Sequence, residues 1–554
     1  MSFIDKMYES LDSVGAGPLL IEVHGQKLVE TSGAGLKQLV LAARGLLSAR
    51  DVVPGDRVAL IAHNSARWAA ADLAILGAGA ICVPMYDRQA PRELAGMLDN
   101  CEAKLVLVDT DKLKGELLAA WPEAGDRVEA RGASARERKI VTFDEVFAQR
   151  HVFAQPVPRA ASDYVTMIYT SGTSGEPKGV LYTVANVDYM LEQTLEGLRT
   201  MVGTRSGPDR VFHYLPFCFA GSRIQLWSQL ARGNPLMVSS DLNNLVEELG
   251  TAQPHYFLNV PTLIERIRTG VGSKLKERGG IAYGLYSRAV EAYAREQKGS
   301  ASLGDKLALG LGRRVVFSKI RAQIGKNLEF LICGSAPLSE ETQRWFSMIG
   351  IPVYQVYGLT ETTAIVTMDK KGVARPGYVG RALAGVELKV SDEGELLCRG
   401  PNIFPEYWKR PDATGKSLQN GWFHTGDMAE LTPDGDLKIV GRLKDLLVPE
   451  SGHNVAPGPL EEKLASLVPG AQVMLVGHAR PYLSAIFAGQ ADSSVVQTAI
   501  DALNQELPHY RRVRKFYLSP EPFSVENGLL TANQKLKRNA VEKHYATQID
   551  GLYS

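Results

Sequence analysis

The twelve residues Tyr169-Thr170-Ser171-Gly172-Thr173-Ser174-Gly175-Glu176-Pro177-Lys178-Gly179-Val180 decide how the rest of this chain is interpreted. The stretch before them, from Tyr164, is β-branched and aromatic, which predicts a buried strand. After them a helix is predicted with Asn186 near its start, because its apolar residues fall on one face. Glycines let a backbone approach an anion closely, and small hydroxyls add hydrogen-bond donors. The stretch therefore predicts a phosphate-binding loop, to which Lys178 adds a mobile positive charge.

Two other interpretations of this stretch fit its residues less well. Runs of Ser, Gly and Thr often form flexible linkers, yet this one contains Pro177 and lies between two apolar elements. A Walker A loop needs Gly-Lys followed by Ser or Thr, whose hydroxyl binds Mg²⁺. Here Pro177 precedes Lys178 and Gly179 follows it. The Walker interpretation is therefore rejected.

Length and charge indicate the number of domains and argue against nucleic-acid binding. A chain of 554 residues is long enough for two or more domains, each with its own core. A formal net charge of +1 argues against a protein that binds nucleic-acid backbones, although it is compatible with a local basic patch. We therefore expect no nucleic-acid partner.

The cysteines and the N-terminus indicate a cytoplasmic protein. The five cysteines are scattered and lack metal-ligand spacing, which is typical of a reducing compartment. The first residues lack the apolar run of a signal peptide, and the apolar stretch from Trp68 to Met85 is interrupted by Asp72. Peripheral contact with a membrane, through a small apolar patch, stays compatible with this composition. The oligomeric state is left open.

Alternating helices and strands in the first part of the chain predict an α/β sheet covered by helices on both faces. Helices are expected at Leu36–Leu47, from about Ser65 and after Pro91, and strands at Arg57–Ala62, Ile81–Met85 and Leu105–Val108. Residues 120–160 are poorly patterned and are predicted to form a surface excursion. Residues 270–312 are charged and are predicted to form a helical insertion, for which a solvated helical pair is the simplest interpretation.

Several later motifs have ordinary interpretations when each is taken alone. They are a strand-end turn, a helix N-terminal pair, a polar turn, a surface charge cluster and a solvated lysine. In chain order these motifs are Gly334-Ser335-Ala336-Pro337-Leu338, Tyr357-Gly358-Leu359-Thr360-Glu361, His424-Thr425-Gly426-Asp427, Gly441-Arg442-Leu443-Lys444-Asp445 and Lys535. It is their fixed order that changes the interpretation.

In this order the motifs resemble the adenylate-forming (AMP-binding) superfamily. The insertion followed by Val316-Phe317-Ser318-Lys319-Ile320-Arg321 is similar to long-chain fatty acyl-CoA synthetases. The resemblance implies an α/β fold with a large multi-subdomain N-terminal adenylation domain, residues 1–441. It also implies a smaller α+β C-terminal domain, residues 442–554, joined to the first by a hinge.

The resemblance also implies roles for individual residues. The nucleotide would be bound by Thr170, Ser171, Gly172, Thr173, Ser174, Gly175, Lys178, Gly334, Ser335, Ala336, Tyr357, Gly358, Thr360, Asp427, Arg442 and Lys535. Within that set, Tyr357 would stack on adenine, Asp427 would bind the ribose, and Glu361 would hold Mg²⁺. Catalysis is assigned to Lys535, Thr360 and Glu361. The acyl substrate is assigned to Phe219 and Arg223, the hinge to Lys444, and a turn near CoA to Gly452.

The activity implied by the resemblance is an ATP-dependent long-chain fatty acid CoA ligase. The implied partners are the small-molecule substrates ATP, a fatty acid and coenzyme A, with Mg²⁺ as the metal. Phe217, Cys218 and Phe219 offer no carboxylate to pair with a substrate ammonium, so an apolar acid fits better than an amino acid. Phe219 and Val184 each stand where many relatives carry His, which leaves the preferred acid and its chain length open. Two alternatives also remain open. One is an enzyme that loads a carrier protein or activates another apolar acid, and the other is a non-catalytic acyl- or nucleotide-binding protein.

Overall fold

The computed structural model describes residues 1–121, 139–148, 155–171, 177–531 and 535–554. Four sheets organise these residues. Three sheets lie in the part of the chain before Leu443, and one small sheet follows it. The protein is an α/β protein with a large N-terminal part and a smaller C-terminal part.

The first sheet contains the residues on either side of the predicted phosphate-binding loop. Its six strands, in spatial order, are Ile140–Thr142, Leu105–Val108, Arg57–Ile61, Ile81–Met85, Tyr164–Ser171 and Pro177–Thr183. All neighbouring pairs are parallel except the last, which is antiparallel. The helices of this segment are Gly33–Ala49, Ala66–Gly77, Pro91–Cys101, Asp111–Ala120 and Phe143–Phe147. The predicted helices and strands between Leu36 and Val108 are confirmed.

Two features of this sheet differ from the predictions. The chain forms the strand Pro177–Thr183 before the helix Val184–Val202 begins, and the prediction of strand, loop and helix omitted it. Residues 120–160 are not wholly a surface excursion, because Ile140–Thr142 is buried and extends the sheet beside Leu105–Val108. Two segments of the predicted excursion, residues 122–138 and 149–154, lie outside the described residues.

The second sheet brings two of the predicted motifs to one edge. Its nine strands, in spatial order, are Arg381–Ala382, Thr367–Met368, Val353–Tyr357, Leu331–Cys333, Tyr256–Asn259, Val211–His213, Leu236–Ser239, Pro18–His24 and Lys27–Ser32. The central strands are parallel, so Cys333 and Tyr357 end at the same edge. The helices around it include Phe3–Val14, Ala220–Ala231, Leu245–Ala252 and Glu340–Met348.

The predicted helical insertion is confirmed. It consists of the helices Pro261–Arg278, Gly280–Gln297 and Leu303–Gly312, the π-helical segment Arg313–Phe317 and the helix Ser318–Gly325. Within the described residues, no helix combines the length and the apolar character that crossing a membrane requires.

The third and fourth sheets lie on either side of Leu443. The third contains Glu387–Val390, Glu395–Arg399, Leu418–Gln419, Trp422–Leu431 and Leu437–Arg442, with the helix Pro411–Ser417 beside it. The fourth contains Gln472–Val476, Leu483–Ala488 and Val513–Ser519, packed with the helices Gly458–Leu467, Ser493–Gln505, Arg538–His544 and Ala546–Gly551. The buried apolar residues around the fourth sheet form clusters that contain no residue before Leu447, so the C-terminal part has its own core.

Candidate active site

A single cavity of about 2700 Å³ lies between the edge of the second sheet and the C-terminal part. Gly334 and Gly358, which follow two neighbouring strands, both line it. A Cβ atom on Gly358 would lie 2.1 Å from the carbonyl oxygen of Ala364, so only glycine fits there. One on Gly334 would lie 2.8 Å from Cγ2 of Val356. The two glycines let the strand ends pack tightly, and Ser335 and Ala336 continue the cavity wall.

One wall of this cavity contains a group of hydrogen-bonded side chains, and Asp427 lies at the centre of that group. The Tyr357 hydroxyl donates to Asp427 Oδ2 at 2.7 Å, and Arg442 Nε donates to Oδ1 at 2.8 Å. Arg442 lies directly opposite Asp427 in the antiparallel pairing of their strands, which explains the contact. Burial raises the pKa of Asp427, and the charge of Arg442 acts in the opposite direction. Three predicted nucleotide residues therefore meet here.

Thr360 and Glu361 begin a short 3₁₀ turn, Thr360–Thr362, held by two tyrosines. Tyr182 donates to the carbonyl oxygen of Thr360 at 2.6 Å, and Tyr407 donates to Glu361 Oε1 at 2.8 Å. The ammonium of Lys178 lies 5.0 Å from the centre of the Tyr407 ring. Neither tyrosine was predicted from the sequence. For Tyr407 the only signal in the sequence is the aromatic run around it.

The Glu361 carboxylate is a hard oxygen donor that lines the cavity, which suits Mg²⁺. Within the described residues, no cluster of three or more His, Cys, Asp or Glu side chains could hold a metal ion. A Mg²⁺ ion at Glu361 would therefore need ligands from phosphate oxygens and water, which is how this ion is usually bound.

Lys535 reaches the cavity from the C-terminal part. Its carbonyl oxygen accepts from Thr531 N at 2.7 Å, and its backbone nitrogen donates to Thr531 Oγ1 at 3.1 Å, which fixes a tight turn. Desolvation by the surrounding cavity lowers the pKa of Lys535, although the residue keeps an exposed surface, and the nearby charge of Arg442 lowers the pKa further. The carboxylates of Asp427 and Glu361 oppose this shift. The fold therefore places Lys535 near charged residues that lie far earlier in the chain.

The other predicted nucleotide residues, the predicted hinge Lys444 and the predicted CoA turn at Gly452 do not all line the cavity. Thr170 lines the cavity opposite Lys178 in the strand pairing, and Ser171 ends its strand. Gly172, Thr173, Ser174 and Gly175 lie outside the described residues. Lys444 lines the cavity in the turn Leu443–Asp445, and burial lowers its pKa. Gly452 sits in an exposed turn with a positive φ of 74°, and its backbone nitrogen donates to the Pro449 carbonyl.

Phe219 lines the part of the cavity that is mostly apolar. Its ring lies 5.8 Å from that of Tyr86, and it precedes the helix Ala220–Ala231. The cavity is also lined by the apolar residues Leu198, Met201, Ile224, Leu258 and Met368. Gln225 also lines it, and Nε2 of this buried amide has no hydrogen-bond partner among the described residues. Nothing in the sequence pattern had distinguished Gln225 from its neighbours.

Arg223 has surroundings that the substrate-binding interpretation did not anticipate. Its side chain is fully buried and pairs with Asp72 and with the hydroxyl of Thr166. Trp227 also donates to Asp72, at 2.8 Å, and its ring stacks below the guanidinium at 4.5 Å. A guanidinium bound in this way has no surface left for a substrate, so the position corrects the prediction and indicates a role in the core.

Comparisons with known proteins show the family of this chain. The profile of the AMP-binding enzyme family matches residues 31–408, and that of the AMP-binding enzyme C-terminal domain matches residues 444–554. The long-chain-fatty-acid–CoA ligase FadD15 of Mycobacterium bovis is 29% identical over 95% of this chain and 92% of its own length. Long-chain-fatty-acid–CoA ligase 5 of Mus musculus is 27% identical over 93% of this chain and 82% of its own.

Solved structures agree at the level of the fold. The A domain of a carboxylic acid reductase from Segniliparus rugosus, in complex with AMP and a co-purified carboxylic acid, superposes with a TM-score of 0.79. It is 22% identical, and the match covers all of this chain and 94% of that one. With the profile spanning most of the sequence, the chain belongs to the AMP-binding enzyme family.

Proposed function

We propose that this protein is an ATP-dependent long-chain fatty acid CoA ligase that works through an acyl-adenylate. One observation carries the proposal. A single cavity joins the apolar part around Phe219, the polar wall at Asp427 and the lysine Lys535. An oily acid, a nucleotide and a cation could therefore meet in one place. The names of the two relatives at 29% and 27% identity support the choice of long-chain acids.

In the first step a carboxylate oxygen attacks the α-phosphorus of ATP, and pyrophosphate leaves. Two anions must approach each other, so positive charge is needed where negative charge builds up. Lys535 and Lys178 would supply it, and Thr360 would donate to the α-phosphate. Tyr357 and Asp427 would hold the base and the ribose. Mg²⁺, held by Glu361 and by phosphate oxygens, would supply further counter-charge.

In the second step the sulfur of coenzyme A attacks the activated carbonyl carbon, and AMP leaves. In this step coenzyme A must reach the same acyl-adenylate that Lys535 stabilised in the first step. Lys535 would therefore have to move away to make room for it. We propose that the C-terminal part, residues 442–554, turns about Lys444, and that the turn at Gly452 approaches the pantetheine arm. Hinges of this kind absorb a large rotation at very few residues.

The hinge can be tested with two variants at one position. Lys444→Pro fixes the backbone there, whereas Lys444→Ala removes only the side chain. The proline variant should still release pyrophosphate but should fail to make the thioester, and the alanine variant should make both products. Normal thioester formation by the proline variant would refute the hinge.

The overall reaction can be tested by measuring pyrophosphate release across a panel of carboxylic acids, with and without coenzyme A. The proposal predicts release that depends on an apolar long-chain acid, and free acyl-CoA when coenzyme A is added. Release of pyrophosphate without any acyl-CoA would favour transfer to a carrier protein. Binding of acid and nucleotide without any release would favour a non-catalytic protein.

A further inference from the structure

The helical insertion presents a row of apolar side chains to solvent. A continuous helical run extends from Leu303 to Gly325, and its first turns place Leu303, Leu307, Leu311 and Val315 four residues apart. Residues at this spacing share one face of a helix. The four residues are 80%, 76%, 52% and 42% exposed, in that order. We call these four residues the leucine row.

The opposite face of the same run is firmly packed. Leu309, Val316 and Phe317 are buried in a hydrophobic cluster. Gly312 lies so close to the preceding helix that a Cβ atom there would come within 2.7 Å of Cβ of Ala289. The insertion is therefore a fixed part of the fold, and the leucine row is held outward.

The insertion is also strongly basic, in a chain that is nearly neutral. Between Gly270 and Lys326 there are 12 Lys and Arg residues and 4 Asp and Glu residues. Three of the four acids are paired inside the insertion, and one of them, Glu291, lies 3.7 Å from Arg295. Asp305 pairs with Arg295 at 2.7 Å, and Glu296 pairs with Arg313 at 3.7 Å. The exposed residues Lys306, Arg314 and Lys319 lie on the same helical run as the leucine row.

We propose that the leucine row, with Lys306, Arg314 and Lys319, docks this protein on the surface of an anionic lipid bilayer. A helix with exposed leucines and cations fits the boundary between headgroups and acyl chains, where apolar burial and electrostatic attraction add. An acidic protein surface would pair with the cations, but acidic side chains alone would not bury the exposed leucines. The inference goes beyond the proposed function, since lipid binding needs neither ATP nor a fatty acid.

The test is co-sedimentation of the full chain with vesicles of phosphatidylcholine, alone or mixed with phosphatidylglycerol. The wild type should sediment with the anionic vesicles, and high salt should weaken this binding. Leu303→Glu/Leu307→Glu should abolish it. Lys306→Glu/Arg314→Glu should weaken it by about tenfold or more. Val53→Glu is the matched control, because Val53 is an isolated apolar residue, 55% exposed, outside the insertion, and it should bind like the wild type.

Unchanged thermal unfolding midpoints would show that these surface variants fold. Failure of the wild type to bind anionic vesicles, or equal binding by the folded glutamate variants, would overturn the proposal. Sedimentation velocity tests whether a second copy of this chain, rather than a bilayer, covers the leucine row. A dimer that Leu303→Glu/Leu307→Glu dissociates would mean that the leucine row is covered by a second copy of this chain instead. Pyrophosphate release with a short, water-soluble acid is a separate measurement, so the two proposals can fail independently.

Discussion

Two arginine–aspartate pairs in this protein use the same chemical groups in different surroundings. Arg223 and Asp72 are each only 1% exposed, and both make further contacts inside the core. Arg442 is 36% exposed beside an Asp427 that is 4% exposed, and this pair lines the cavity with Tyr357. Both arginines were predicted from the sequence to lie in binding sites. Both pairs consist of the same residue types, so residue type does not distinguish a structural pair from a functional one. The solvent exposure of the arginine and the further contacts of the pair do.

The largest change is expected from Asp72→Asn. This substitution leaves the guanidinium of Arg223 buried without its counter-charge, so the free energy of unfolding should fall by about 3–5 kcal/mol. Urea unfolding measures the loss. The double variant Asp72→Leu/Arg223→Met removes both charges and should recover most of it. A stable Asp72→Asn protein that had lost only its activity would break the comparison, because it would make this pair functional too.

The next largest effect is expected at Lys535, which shares its surroundings with the Asp427 pair. Lys535→Ala should slow pyrophosphate release by roughly 10²- to 10³-fold, the usual effect of removing one group that stabilises developing charge. Thioester formation from preformed acyl-adenylate should survive. Lys543→Ala, an exposed lysine on the following helix, is the control and should change neither step. Equal losses in both steps would argue against a role confined to adenylation.

A smaller effect is expected from Asp427→Asn. The variant loses charge-assisted hydrogen bonds to the nucleotide, so the KM for ATP should rise on the order of tenfold to a hundredfold. The free energy of unfolding should change by less than about 1 kcal/mol, because the partly exposed Arg442 can be hydrated. Steady-state kinetics and urea unfolding together check both statements. A loss of stability as large as that of Asp72→Asn would remove the distinction between the pairs.

The smallest effect is expected in the pH profile. Desolvation by the surrounding cavity lowers the pKa of Lys535, so its charged form is lost at a lower pH than for an ordinary lysine. If adenylation needs that charge, kcat/KM should fall on the alkaline side as pH rises through this lowered pKa. Lys535→Arg keeps its charge and should move the fall to higher pH, even if its rate is lower. An unchanged alkaline limb would show that a different group titrates there.

The sequence alone predicted those parts of the fold whose signals are local. The strands Ile81–Met85 and Leu105–Val108 are short apolar runs between turn residues, and the structure has them at these bounds. Pro177–Thr183 was missed because it opens with proline, lysine and glycine, which disfavour strands in sequence statistics. Its pairing with Tyr164–Ser171 overrides that preference.

The site residues show the same limit. Tyr357, Asp427 and Arg442 were named from motifs, and the structure joins them by hydrogen bonds. No motif revealed the partner of Arg223, because Asp72 lies 151 positions away and only the folded chain brings the two together. Tyr407 was missed for the same reason, since its hydroxyl meets Glu361 across 46 positions.

The continuity of the cavity has a consequence for how the two proposed reactions are coupled. A mixed anhydride of a fatty acid and AMP hydrolyses readily if it escapes, and each escape would waste one molecule of ATP. Phe219 and Asp427 line one continuous cavity. Under the proposed function, the acyl tail and the ribose would therefore both stay bound while the C-terminal part turns and carries Lys535 away. The substrate would then stand still while the protein moves around it, and the energy of ATP would be conserved in the thioester.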